Sequence, residues 1–299
     1  MNWILFAIFA YFLLSIESVT NKFLITGKIK SWRLYLFYIG LLSLSSLVFA
    51  PFGLQWPGLK IFLVSVSAGV IFFGYLAFLF SSLKGSAASR VFVLIGAVST
   101  LVTVILSKML LDEQFDLQKI LGVTLLVIGG VLISIKFYKH KLFSGWKKAT
   151  VAGVLLALSM IVLKFSYDQQ NFVSGYIFSR FGITGMTVIL LLIPSYRKRV
   201  FLLLRKKDKK SHASNFGAVV GVKTLAGIAT AIREYAIAIG SVAIVSALAS
   251  VQYLFVFVIS IILAFYYKNA FRENIDKKTV FYKAVGVMSV VMGVLLVML

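Results

Sequence analysis

GSAASRVFVLIGAVSTLVTVILSKMLLDEQFDLQKILGVTLLVIGGVLIS, from Gly85 to Ser134, is an apolar segment, an acidic turn (DEQFD, Asp112 to Asp116) and a second apolar segment carrying Gly122 and Gly129. An altered copy runs from Gly240 to Leu299, with RENID (Arg272 to Asp276) as its turn and Gly286 and Gly293 at the same seven-residue interval. Seven residues are close to two helical turns, so each glycine pair lies on one helix face. The sequence uses one helical hairpin twice.

The repetition reaches the beginnings of both halves. NKF (Asn21 to Phe23) and LKF (Leu163 to Phe165) are 142 positions apart, as are Gly40 and Gly182. The offset grows to 155 between Gly85 and Gly240 and to 164 between Gly122 and Gly286, so the insertions fall in connecting loops. Matched helices with drifting loops are what a fused tandem repeat predicts.

Of the 299 residues, 61% are hydrophobic and 13% charged, with a mean hydropathy of +1.00. A soluble domain is roughly half apolar and a quarter charged, so this composition is that of a multi-span membrane protein with no separate extramembrane domain. Cysteine is absent, which excludes disulfides, thiolate metal sites and cysteine nucleophiles. His140 and His212 fall in basic loops and read as solvated residues. The opening MNWILFAIFAYF lacks a basic leader and a cleavage site and reads as a first span. The net charge of +22 lies between spans, so nucleic acid is not an expected partner.

Ten apolar segments are expected to span the membrane: 3–21, 34–50, 61–83, 87–106, 117–135, 149–167, 172–196, 216–236, 244–267 and 280–299. Five per half, an odd number, makes the second half enter from the opposite side. The expected fold is therefore all-α, ten transmembrane helices as two inverted five-helix repeats, residues 1–140 and 147–299. Inverted repeats place a binding site near the bilayer midplane and rock around it. Basic residues set the orientation. The odd-numbered loops hold 24 of the 31, against three in the even-numbered loops, so both termini are expected outside a plasma membrane. The run from Arg197 to Lys210 reads as an inside-anchoring loop, with anionic lipid binding as the alternative.

KMLLDEQFDLQKILGVTLLVIGGVLIS (Lys108 to Ser134) resembles the closing hairpin of an EamA-like repeat, of the drug/metabolite transporter superfamily, through Glu113, Gly122, Gly129 and Val131. Glu273, Gly286, Gly293 and Val294 resemble it in the second copy, as do the two Gly-Ser steps and Lys22. The chain departs from the family in carrying Ile16-Glu17 where Trp-Gly is frequent, and in lacking proline in the fourth helix of each repeat. The resemblance implies a ten-helix secondary carrier of small metabolites such as amino acids, frequently an exporter.

Ionisable residues inside spans cost about 2.5 to 3.5 kcal/mol on insertion scales, which makes each a functional candidate. Glu17, with Thr20 and Asn21 on the same face, is expected to bind a proton or a substrate ammonium, or to pair permanently with a base. Lys223 and Thr230 share a face with Gly227 and Glu234, and Lys223 needs a partner such as Glu17 or a substrate carboxylate. Arg180 sits about two turns inside its span and is a candidate to line the path. Arg233 and Glu234 are expected at the outer interface. Polar stripes containing Thr100 and Thr103, and in the other half Tyr253, either line a cavity or cement packing.

No cofactor or metal site is indicated, and the clustered catalytic residues of an enzyme are absent. A small-molecule carrier in the bilayer, with proton coupling and a homodimer as open features, is the expected function. The alternatives are a membrane-embedded lipid-modifying enzyme and a lipid-linked sugar flippase.

Overall fold

The structure, a computed structural model, describes residues 2–25, 32–83, 88–134, 145–205, 212–266 and 277–299. Helices occupy the positions of all ten expected segments. In order they are α1 (Asn2–Ile25), α2 (Trp32–Leu42) continued by a 3-10 helix (Ser43–Phe52), α3 (Leu59–Ser82), α4 (Ala88–Leu110), α5 (Leu117–Ser134), α6 (Trp146–Gln169), α7 (Phe172–Leu192), α8 (Pro194–Arg205), α9 (His212–Ile239), α10 (Val242–Ala247), α11 (Ala249–Tyr266) and α12 (Lys277–Met298). Among the described residues, seven segments are long and apolar enough to cross a membrane: α1, α3, α4, α6, α7, α10 with α11, and α12.

Polarity is distributed inside out. On α4, Leu101, Ile105 and Met109 are exposed, whereas Ser99, Thr103 and Ser107, two positions earlier in each case, are buried. On α12 the exposed stripe is Val285, Met288, Met292 and Leu295. Water would reverse this arrangement, since large apolar side chains are the ones it drives inward. A bilayer permits it, because hydrocarbon solvates the apolar stripe and small polar residues allow helices to approach.

The paired glycines bring α5 and α12 together. A methyl group built on Gly129 would lie 2.7 Å from the Gly286 carbonyl oxygen, and one on Gly293 would lie 2.8 Å from that of Gly122. Residue 122 meets 293 while 129 meets 286, so the two helices run antiparallel. α3 and α6 are antiparallel as well: Ser65 Oγ meets Ser166 Oγ at 2.7 Å and Ser159 Oγ donates to the Ala68 carbonyl at 3.0 Å. α1 runs against α9, with Trp3 over Gly240, Phe6 against Tyr235 and Glu17 against Lys223. α4 packs on α6 and α1 on α11.

Three features depart from the sequence reading. The second segment is α-helical only to Leu42, where the Ser43 and Ser45 hydroxyls bond back to the carbonyls of Ile39 and Leu42. Such back-bonding competes with regular helix geometry, and the chain continues as a 3-10 helix containing Pro51. The seventh segment ends at Leu192 rather than Tyr196, because Ile193 precedes a proline and takes the extended conformation that position favours. The run expected as a loop then opens with α8, whose Tyr196 and Val200 bury against Phe37, Tyr38, Leu190 and Leu191.

The acidic turn has three separate structural jobs. Asp112 takes φ +52 in a cap that closes α4 through Glu113 N–H to the Ser107 carbonyl. Asp116 accepts from the Lys119 backbone amide and caps α5, and that bond holds its carboxyl below the usual carboxylate range. Glu113 crosses to the second half: its carboxylate accepts from Ser241 Oγ at 2.7 Å and from Val242 N at 3.0 Å, at the start of α10. Removing both bonds with Glu113→Ala is expected to cost about 2 kcal/mol. The check is a lowered melting temperature in detergent, with Glu113→Gln intermediate.

Candidate functional site

Five charged side chains converge inside the bundle in two layers. In the first, Lys223 Nζ of α9 lies 2.8 Å from Glu17 Oε1 of α1, with both side chains about 15% exposed (15% and 14%). Burial in a low-dielectric interior is expensive for either charge alone, which is why the two appear together. In the second layer Arg180 of α7, 7% exposed, bonds to the Glu234 carboxylate of α9, 2% exposed. Tyr167 Oη donates to the other Glu234 oxygen at 3.2 Å, and the Arg180 guanidinium sits 4.5 Å from the Tyr176 ring centre.

Glu234, expected near the outer interface, is buried within the bundle and paired there. Its partners come from α6 and α7, and they replace the water that an interfacial position would have supplied. Arg233 approaches the same carboxylate at 3.6 Å, 15% exposed, and its Nε is buried without a hydrogen-bond partner among the described residues. Lys223 and Glu234 are 11 residues apart, about 16 Å along α9. Gly227 and Thr230 lie between them, with Thr230 half-buried.

The other candidates are placed as follows. Thr20 Oγ1 donates to the Ile16 carbonyl of its own helix, so its hydroxyl hydrogen is committed locally. The Asn21 side chain lies outside the described residues. Thr100 Oγ1 donates to the Ser246 carbonyl at 3.2 Å, and Tyr253 Oη donates to the Phe92 carbonyl at 2.8 Å. The two polar stripes therefore pack on each other where α4 crosses α10 and α11. Thr100, Gly96, Gly130, Ser250 and Tyr253 border a cavity of about 10 Å³ between them, at the lower limit for one water. Thr103 is fully buried with no partner for its hydroxyl among the described residues.

Sequence reasoning did not single out Tyr167 or Tyr176, because apolar helices hold many aromatic residues and only the folded partners distinguish these two. Gln252, which donates to the Leu14 carbonyl and to Ser18 Oγ across the α1–α11 seam, carried no sequence signal either.

No family model matches the sequence, and no curated protein matches it. Among solved structures the chain is similar to one described only as "Crystal structure of protein", with a TM-score of 0.68 and 15% identity over 99% of this chain and 94% of that one. At that identity the likeness is one of fold, and it extends over nearly the whole length of both chains.

Proposed function

We propose that the protein is a secondary transporter of small polar metabolites, built as two inverted five-helix halves of the EamA-like type that alternate access to a shared interior site. The observation that carries this reading is the exchange of helix partners between halves. α3 packs on α6, and α9, at the equivalent place in the second half, packs on α1. The residue pairs keep the register of the sequence repeat. Glu17 faces Lys223; Ser159, 142 positions after Glu17, donates to Ala68, which is 155 positions before Lys223. The offset of 155 is also the one between Gly85 and Gly240. The antiparallel α5–α12 crossing supports inversion, since equivalent helices of parallel copies run the same way.

The two charged layers act as gates in this reading. With basic loops inside, Glu17–Lys223 lies toward the inner face and Arg180–Glu234 toward the outer face. Thr230 and Gly227 occupy the space between. Both pairs are closed in the structure. Opening to one side separates the pair on that side, and substrate contacts repay part of that cost.

Charge balance favours a substrate bearing a carboxylate or phosphate. Arg233 approaches a Glu234 carboxylate that Arg180 already engages, and it keeps a buried donor without a hydrogen-bond partner among the described residues. An anionic group supplies the missing partner. A screen in vesicles with labelled amino acids and phosphorylated metabolites, with and without a pH gradient, tests the reading. Flux is expected for compounds carrying an anionic group. Flux confined to neutral or cationic compounds contradicts the charge argument while leaving transport standing.

A further inference from the structure

We infer that α8 is a binding site for anionic phospholipid at the membrane surface. The helix follows α7 directly, and the bend at Ile193 turns it so that Tyr196 and Val200, four residues apart, bury against the end of α7 and the middle of α2. Its remaining described surface has a mixed character that neither water nor hydrocarbon alone suits. Arg197 and Lys198 are exposed, and so are Phe201 and Leu202, at 56% and 51%. On a helical wheel Phe201 and Leu202 flank Lys198, so cations and apolar groups share one outward face. That combination fits the headgroup boundary: the apolar residues enter the acyl region while the long cationic side chains reach out to phosphate. The charge is of one sign, because α8 contains no acidic residue. The neighbouring apolar residues Leu192 and Ile193, both exposed, continue the surface toward the membrane span. A soluble protein partner would leave this belt of exposed apolar residues at the edge of a hydrocarbon layer, where lipid already covers it. The occupant is therefore a phospholipid with a net negative headgroup, and its site is independent of the transport reading.

Native mass spectrometry of the purified full chain in dodecyl maltoside micelles, titrated with phosphatidylglycerol or phosphatidylcholine, tests this. Phosphatidylglycerol is expected to be retained in preference to phosphatidylcholine. In R197Q/K198Q its apparent affinity is expected to fall about 25-fold, on the basis of about fivefold for each cation near an anionic surface. Circular dichroism and melting temperature, unchanged in this variant, show that the fold survives. In F201S/L202S phosphatidylglycerol retention is also expected to fall, and soluble glycerol phosphate is not expected to displace the lipid. Equal retention of the two lipids, or undiminished phosphatidylglycerol binding in folded R197Q/K198Q, overturns the proposal. Displacement by glycerol phosphate overturns it in favour of a free-anion site. A change from dimer to monomer in R197Q/K198Q with unaltered lipid retention overturns it in favour of a second copy of the chain.

Discussion

Glu234→Gln is expected to destabilise the protein by about 3 to 5 kcal/mol, the cost of removing one partner from a buried ion pair. The carboxylate is nearly inaccessible and serves Arg180, Arg233 and Tyr167 at once. A glutamine retains one oxygen as acceptor but leaves two guanidinium groups without a counter-charge. The expected observations are a large fall in purified yield and a lowered melting temperature in detergent. Adding Arg180→Gln to the same chain is expected to recover part of the loss, because it removes one of the stranded cations. A single variant that melts with the wild type removes Glu234 from the structural core of the account.

Glu17→Gln is the second large effect, and it separates two roles. Glu17 pairs with Lys223, so the substitution leaves the lysine without its carboxylate, at a cost of about 2 kcal/mol for a pair that retains some solvent access. The double variant Glu17→Gln with Lys223→Gln removes both charges and is expected to restore most of the stability. If the Glu17 carboxylate also carries the coupling proton, the restored double variant exchanges substrate but no longer responds to a pH gradient. Measuring melting temperature, exchange and gradient-driven flux in the same preparations distinguishes these outcomes. Full stability in the single variant contradicts the pairing as a structural element.

Much of the fold is legible in the sequence because apolar segments of bilayer length, and glycines at a seven-residue interval, are local signals. The two glycine pairs mark close-contact faces on α5 and α12 in advance, and the structure adds that these two faces meet each other. An acid and a base, each isolated in an apolar helix, need partners, which makes Glu17 one candidate for Lys223 beside a substrate carboxylate, and the structure joins the two. Three elements were hidden for physical reasons. The burial of Glu234 depends on Arg180, 54 residues away, and on Tyr167, 67 residues away, neither of which has any local relation to it. Glu113 looked like part of a turn, and its carboxylate caps a helix of the other half. α8 was obscured by its charges, although Tyr196, Val200 and Leu203 already stand at helical spacing.

Access to the space between the two charged layers tests the central claim most directly. The chain contains no cysteine, so Thr230→Cys introduces a single reactive thiol between Lys223 and Glu234 on α9. In right-side-out and inside-out vesicles, a membrane-impermeant thiol reagent is expected to label this position in both preparations if, as proposed, each gate opens in turn. Labelling from one face alone, with the same thiol fully reactive after detergent solubilisation, would contradict alternating access.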